Sequence, residues 1–262
     1  MLINYICRMN STKTRYFIFI SYKGTSYHGW QMQPNSVTIQ KILDDALCVI
    51  LNEKITTTGA GRTDAGVHAS VFCAHFDCSI SDLSPERNLV YRLNNYLPHD
   101  ISVKSIIKVR PDANARFSAV SRTYMYFISR IKDPFSNTSS WSLHGNIDVS
   151  IMNQACEILL KHSEFTSFSK LHSDTKTNIC KVHMARWEET NNQLIFTIKA
   201  DRFLRNMVRA IVGTMVEIGS GKLNLLEFEE IILAKNRCRA GKSAPAKGLF
   251  LTDIEYPREI FH

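Results

Sequence analysis

Strand-like and helix-like patterns follow one another along this 262-residue chain in an order that few folds can accommodate. Between residues 15 and 109 the order is strand, helix, strand, strand, helix, strand, and it recurs after residue 111. This order is typical of the ferredoxin-like arrangement, an antiparallel sheet with both helices on one face. We therefore predict an α+β protein made of two ferredoxin-like βαββαβ halves. Their sheets are expected to lie side by side as one extended, mainly antiparallel sheet, with a cleft between the halves.

The first half begins with an alternating strand pattern over 15–22, followed by a helix with Thr38 as its N-cap. Two strands then flank a glycine-rich loop. A second helix is predicted to begin at Ser84-Pro85, because proline suits the first helical position, and a strand follows over 101–109. The polar, proline-broken run from Arg110 to Asn114 is the best candidate for a boundary. It divides the chain into an N-terminal α/β domain, residues 1–110, and a C-terminal α/β domain, residues 111–262.

The second half repeats the order with one addition. Strands are predicted over 120–130, 179–188, 194–200 and 249–256, and helices over 150–162 and 202–218. The added helix begins at Asn224, which can form a capping box with Glu227. No sequence identity between the halves is obvious, so the duplication depends on element order alone.

The balance of charge favours a polyanionic partner. The net charge is +8 and the pI is about 9.1, which suits phosphate neutralisation, although many basic proteins bind no nucleic acid. The first 13 residues lack the pattern of a signal peptide, and no apolar run is long enough to span a bilayer. We therefore expect a cytoplasmic protein with no membrane partner.

The cysteines predict neither disulfides nor a metal site. There are 7 of them, an odd number, and none forms a C-x-x-C pair, which is typical of reduced thiols in a cytosolic protein. Cys73, His75 and Cys78 lie close together in sequence, but no second cluster completes a tetrahedral site. We expect no bound metal.

The loop from Gly59 to Ala69 is the strongest candidate for a functional site. Its glycines allow backbone angles that other residues resist, and it carries Arg62 and Asp64 between two strands. The dinucleotide pattern G-x-G-x-x-G fails because Asp64 occupies the last glycine position. Gly241-Lys242-Ser243 resembles the end of a phosphate loop, but Asn236 stands where the first glycine is needed. The sequence therefore indicates no nucleotide cofactor.

Three arginines of the predicted long helix fall on one face. Arg202, Arg205 and Arg209 have i, i+3, i+7 spacing, opposite an apolar stripe. Such a face is either an ordinary solvated surface, or a set of guanidinium groups that donate paired hydrogen bonds to a carboxylate or to phosphates.

Two strand residues have similar alternatives. Tyr124 belongs to an alternating strand, where tyrosine usually serves in packing but can also support an unstacked base. Leu249 follows the small-residue run 244–248 and could either line a pocket or belong to an ordinary core strand.

Several motifs together identify a resemblance that covers essentially the whole chain. They are Tyr22-Lys23-Gly24-Thr25, Gly29-Trp30-Gln31, Gly59 to Ala69, Ala115-Arg116-Phe117-Ser118-Ala119, Arg122-Thr123-Tyr124, Phe165-Thr166-Ser167-Phe168, Phe203 to Arg209, Ile211-Val212-Gly213-Thr214, and Lys247-Gly248-Leu249-Phe250-Leu251. With these motifs the chain resembles the TruA family of tRNA pseudouridine synthases. One departure is Lys23, where the family often has aspartate.

The resemblance implies a cofactor-free isomerase that converts uridine to pseudouridine at positions 38–40 of the tRNA anticodon stem-loop. Asp64 matches the family's essential aspartate, which acts as a nucleophile or as a base on the ribose, and Arg209 matches the arginine that pairs with it. Arg62 matches the residue thought to help extrude the nucleotide. Tyr124 matches the aromatic on which the flipped uracil stacks, and Leu249 would line the other side of the pocket. A homodimer is also implied.

Two other functions remain open at this point. A basic protein could hold or refold tRNA without altering it, which would need the basic cleft but not Asp64. Alternatively, a member of the same family could modify a different RNA.

Overall fold

The computed structural model describes residues 13–83, 88–170 and 177–261. The first half contains four strands and two α-helices within these ranges. They are β1 (Thr14–Tyr22), α1 (Ile39–Leu51), β2 (Thr58–Gly59), β3 (His68–Cys78), α2 (Leu89–Tyr96) and β4 (Ile101–Lys108). The predicted start of the second helix, at Ser84-Pro85, lies outside the described residues.

The second half contains the same elements, one extra helix and one extra short strand. They are β5 (Ser121–Ser129), β6 (Trp141–Ser142), α3 (Val149–Lys161), β7 (Val182–Glu189), β8 (Gln193–Ala200), α4 (Met207–Gly219), α5 (Leu225–Leu233) and β9 (Leu249–Glu255). The strand predicted from residue 179 begins three residues later, and Ile179 forms only an isolated bridge with Glu164.

Side-chain caps define where three helices begin. Thr38 Oγ1 accepts the backbone N–H of Lys41 at the start of α1, and Asp148 caps α3. Asn224 and Glu227 form the predicted capping box of α5. Each cap satisfies backbone donors that the first turn of a helix leaves free. The caps predicted at Thr38 and Asn224 are confirmed.

One continuous sheet joins the two halves in the order β4-β1-β3-β9-β5-β8-β7. Each half has the ferredoxin-like order of fourth, first, third and second strand, since β2 pairs with β3 in the first half. The pairs within each half's four-strand order are antiparallel, whereas β3 and β9 pair in parallel through His68↔Phe250 and Ala69↔Leu251. The predicted α+β architecture is confirmed.

The shortness of β2 lets the halves join. It covers β3 only where Thr58 and Gly59 pair with His75 and Ala74, so the other end of the same edge is free for β9. β9 therefore belongs to the sheet of the second half and also extends the sheet of the first.

Buried side chains form two cores, one in each half. Each core shares residues with the other half of the chain: Leu251 and Ile254 of β9 pack in the first core, and Val67 packs in the second. Tyr124 packs against both cores. The two cores adjoin where β3, β5 and β9 meet. The domain boundary near residue 110 stays a prediction.

The described residues contain neither a candidate membrane-spanning helix nor a candidate metal site. None of their helices combines the length and apolar character that a bilayer crossing requires. They also hold no group of three or more His, Cys, Asp or Glu side chains placed to bind a metal ion.

Candidate active site

The loop between β2 and β3 is fastened to the end of β1 and to the segment that follows it. The hydroxyl groups of Tyr22 and Thr63 lie 2.9 Å apart in a buried hydrogen bond. The backbone N–H of Trp30 donates to the Thr63 carbonyl at 3.3 Å, and that of Gly66 donates to the Tyr27 carbonyl at 3.3 Å. These bonds hold the loop on both sides of Asp64.

The glycines of this loop serve different purposes. Only Gly66, of the three expected to supply unusual backbone angles, has a positive φ, at 78°. Gly59 instead permits close packing, because a Cβ there would lie 2.4 Å from Trp30 Nε1. The expectation of special angles is therefore wrong for Gly59 and Gly61.

Two arginines flank the Asp64 carboxylate. Arg209 Nη1 lies 3.3 Å from Asp64 Oδ2, and Arg205 Nε lies 3.6 Å from Asp64 Oδ1. The Asp64 side chain keeps 25% of its surface accessible. The carboxylate is therefore held between two guanidinium groups and is still open to a substrate.

The Arg209 side chain is held from a second side. Its Nε donates to the Ala244 carbonyl at 2.7 Å, while the Ala244 backbone N–H donates to the Arg209 carbonyl at 2.9 Å. Gly213 allows the same segment to approach α4, since a Cβ there would overlap the Lys242 carbonyl. The guanidinium is therefore positioned before any substrate arrives.

The predicted helix over 202–218 is wrong at its start, and with it the shared arginine face. α4 begins at Met207, and Asn206 precedes it in a left-handed conformation with φ 67°. Because that residue interrupts the helical path, Arg205 lies in the turn before α4 and Arg202 lies in the irregular segment before that turn. Arg205 still reaches Asp64 from there, whereas Arg202 is not among the ion-pair partners of this carboxylate.

Tyr124 lies beside the carboxylate on β5. Its ring packs edge-on against Phe203, with centroids 5.1 Å apart and planes at 87°. Burial raises the pKa of Tyr124 to about 12, and the nearby negative charge of Asp64 acts in the same direction. The phenol therefore stays neutral, and the ring offers an uncharged surface near the Asp64 carboxylate.

The other predicted residues occupy contrasting positions. Arg62 is exposed, two positions before Asp64, and makes no hydrogen bond or ion pair with the described part of the chain. Leu249 is buried, with 6% of its surface accessible, at the start of β9 opposite Tyr126. Arg62 is thus free to reach outward, while Leu249 packs in the second core.

Arg122 is a part of the site to which the sequence assigned no role. Its guanidinium donates to four carbonyl groups, those of Ala60, Arg116, Ala119 and Asp201. Burial lowers its pKa. It ties the Asp64 loop to the 115–119 motif and to the turn that carries Arg205. An arginine within an alternating, half-buried strand was the available signal, since buried arginines must find acceptors.

His68 is a second residue without an assigned role. Its Nδ1 accepts the Gly24 N–H at 3.0 Å, so Nε2 carries the proton and faces the carbonyls of Thr138 and Lys247, each at 3.1 Å. Burial lowers its pKa. The neutral ring joins the end of the loop to the segment before Leu249. The position of His68 in the loop motif did not predict these hydrogen bonds.

Comparison with known proteins agrees with this geometry. The sequence model of a family described as tRNA pseudouridine synthase matches residues 18–118 and 155–257. The chain is 52% identical over 248 residues to tRNA pseudouridine synthase A of Bacteroides fragilis, which covers 94% of this chain and 98% of the relative.

Two further relatives carry the same name. That of Parabacteroides distasonis is 48% identical over 250 residues, covering 94% of this chain and 98% of the relative. That of Porphyromonas gingivalis is 45% identical over 249 residues, covering 94% and 99%. With matches of this extent along nearly its whole length, the chain belongs to the tRNA pseudouridine synthase family, and its fold pairs Asp64 with Arg209.

Proposed function

We propose that this protein isomerises uridine to pseudouridine in the anticodon stem-loop of tRNA. The observation that carries the proposal is the Asp64 carboxylate, which lies between Arg205 and Arg209 and near Tyr124. A tRNA-binding protein without catalysis would need the basic surface but has no use for an ion-paired, accessible carboxylate.

The reaction needs no external reactant, because its atoms and electrons balance within uridine. The bond from ribose C1′ to N1 breaks, the base turns, and C1′ bonds to C5. N1 gains a proton, and C5 loses one. Asp64 either attacks the sugar as a nucleophile or removes a ribose proton, and Arg209 holds the carboxylate in place for either role.

The neighbouring side chains provide the rest of the binding site. A base inside a stem-loop must leave its stack before the glycosidic bond can be reached. Arg62, exposed beside the carboxylate, extrudes the nucleotide and occupies its place. Tyr124 supports the flipped uracil and Leu249 bounds the pocket opposite it. Arg202 and Arg205 contact phosphates.

Release of tritium from tRNA labelled at uracil C5 tests the activity, because C5 exchanges its hydrogen for carbon. We expect wild-type protein to release tritium and Asp64→Asn to release none while still binding tRNA. Asn keeps the size of the side chain, so loss of binding would indicate a structural defect. Release by Asp64→Asn at the wild-type rate, or none by wild type, would refute the assignment.

The same material separates the two alternatives. A chaperone would speed the refolding of tRNA equally well with Asp64→Asn. An enzyme for another RNA would leave the tritium in tRNA, and mapping pseudouridine in RNA from cells lacking the protein would reveal the true target.

A tRNA substrate suggests both an oligomeric state and a cellular location for this protein. A homodimer would let one protomer hold the tRNA body while the other acts on the stem-loop, and light scattering after size exclusion would measure its mass. We place the enzyme in the cytoplasm, where tRNA resides, and cell fractionation would test this.

A further inference from the structure

The segment Ala115–Ala119 exposes a phenylalanine that the proposed chemistry does not use. Phe117 has 79% of its surface accessible. The guanidinium carbon of Arg116 lies 5.4 Å from the centre of its ring, a cation–π contact. A single exposed aromatic side chain is ordinary on a protein surface, so what distinguishes Phe117 is how its backbone is held and what lies beside it.

The backbone around Phe117 is rigidly braced. Asn114 Oδ1 accepts the N–H groups of both Arg116 and Phe117, at 2.9 and 3.1 Å. Ser118 and Asn114 exchange two further bonds, both at 2.9 Å. The segment therefore presents the ring in a defined direction.

Core side chains anchor the same segment from beneath. The Ala115 N–H donates to His75 Nδ1 at 3.1 Å, and the Tyr256 hydroxyl donates to the Ala115 carbonyl at 2.6 Å. Both partners belong to the first half's sheet or pack upon it. Exposure of Phe117 is thus a feature of the folded state.

The backbone beside this exposed ring lies next to the Asp64 loop. One nitrogen of Arg122, Nη2, donates to the Arg116 carbonyl at 2.6 Å and to the Ala60 carbonyl at 3.1 Å. The two carbonyls are therefore within two hydrogen-bond lengths of each other. Ala60 begins the turn that carries Arg62 and Asp64.

We infer that Phe117 and Arg116 form a stacking platform for an unpaired RNA base beside the target uridine. The ring face opposite Arg116 supports the base, and the exposed Arg116 guanidinium, which lies over the other face, meets the adjoining phosphate. RNA fits better than protein because the flanking groups are cationic, in a chain of net charge +8, and because unpaired bases offer flat faces for stacking.

This inference rests on the proposed function, and its test uses the full chain with a tRNA anticodon stem-loop. The variants are Phe117→Ala, Phe117→Leu and Phe117→Trp. Phe135 is also highly exposed, at 95%, so Phe135→Ala is the matched control. Dissociation constants are measured in the Asp64→Asn background, and kcat and KM from tritium release with Asp64 intact.

We expect Phe117→Ala to raise Kd and KM about 5- to 100-fold, the range for loss of one stacked base. Phe117→Leu should behave like alanine, whereas Phe117→Trp should restore binding and show fluorescence quenching when RNA is added. Phe135→Ala should match wild type in every measurement.

Wild-type Kd and KM in both Phe117→Ala and Phe117→Leu would overturn the inference. So would a change in oligomeric mass that accounts for the loss, because Phe117 would then face a protein partner. Failure of the proposed function is distinguishable: wild type would release no tritium, whatever the Kd of Phe117→Ala.

Discussion

The two arginines that reach Asp64 differ in how they are held. Arg209 bonds the Ala244 carbonyl through Nε and faces the carboxylate through Nη1, and its side chain is 20% accessible. Arg205 is 49% accessible and lies in a turn. Exposed ion pairs contribute little, whereas a forked, partly buried guanidinium fixes both distance and direction.

We therefore predict that Arg209→Lys lowers kcat for tritium release by about 10- to 100-fold, the worth of one charge-assisted hydrogen bond. A single ammonium group cannot bond the Ala244 carbonyl and Asp64 in the same geometry. Arg205→Lys is the control and should cost much less. Equal losses of kcat in Arg209→Lys and Arg205→Lys would contradict the idea that the two arginines are held differently.

Asp44 is a buried carboxyl of α1 whose second oxygen lacks a partner. Its Oδ1 accepts the Thr57 N–H at 3.0 Å and the Thr57 hydroxyl at 2.6 Å, while no described residue bonds Oδ2. Burial raises its pKa to about 6. In the unfolded chain an aspartate titrates at about 3.9. The folded state therefore takes up this proton at a higher pH.

This raised pKa predicts the sign of a pH effect. The stabilisation is complete below about pH 3.9 and is lost as pH rises through about 6. Chemical denaturation between about pH 4.5 and 7.5 should show wild type gaining about 2 kcal/mol over Asp44→Asn towards the acid end. A constant difference in stability between wild type and Asp44→Asn across this range would contradict the prediction.

At the level of elements, the site is assembled from pieces that no single helix or strand contains. The Asp64 loop precedes β3, Arg205 lies in the turn before α4, and Phe117 lies in the segment before β5. Arg122, on β5, bonds carbonyl groups of all three segments. It coordinates their positions without itself contacting Asp64.

Arg122→Lys should accordingly lower kcat by about 10-fold or more and change KM less, because an ammonium cannot reach four carbonyls from one position. Thermal melting reports any general loss of stability. Arg130→Lys is the control, since Arg130 follows the same strand and bonds the Gly145 carbonyl instead. A drop in melting temperature with unchanged kcat would show that Arg122 is only structural.

At the scale of the whole molecule, charge and topology act together. The net charge of +8 attracts RNA from a distance, and the pairing of β3 with β9 brings Arg205 of the second half to Asp64, on whose loop Arg62 is exposed. Contacts with phosphate release counterions, so their number is visible in the salt dependence of binding.

The logarithm of the Kd for tRNA should rise linearly with the logarithm of the salt concentration. Removing one phosphate contact, by Arg202→Gln or Arg205→Gln, should reduce the slope by roughly 0.7 to 0.9. Arg186→Gln serves as the control because Arg186 lies on β7, the edge strand of the second half, and pairs with Glu188. If the slope stayed unchanged in both arginine variants, the RNA would bind at another part of the protein surface.

Features that depend on neighbours in the chain were readable from the residues. The strand and helix order follows from local periodicity, and the caps at Thr38 and Asn224 join side chains to backbone only three residues away. The loop motif, likewise contiguous, pointed to Asp64.

Contacts between distant segments required the fold. Asp64 and Arg209 are 145 positions apart, and they meet because a two-residue β2 leaves β3 an edge on which β9 can pair. The start of α4 was misjudged for a related reason: residues 202–206 have a helical pattern, but packing and a left-handed Asn206 direct them into a turn. Local patterns record local hydrogen bonds, whereas meetings across the sheet depend on which edges the rest of the chain leaves open.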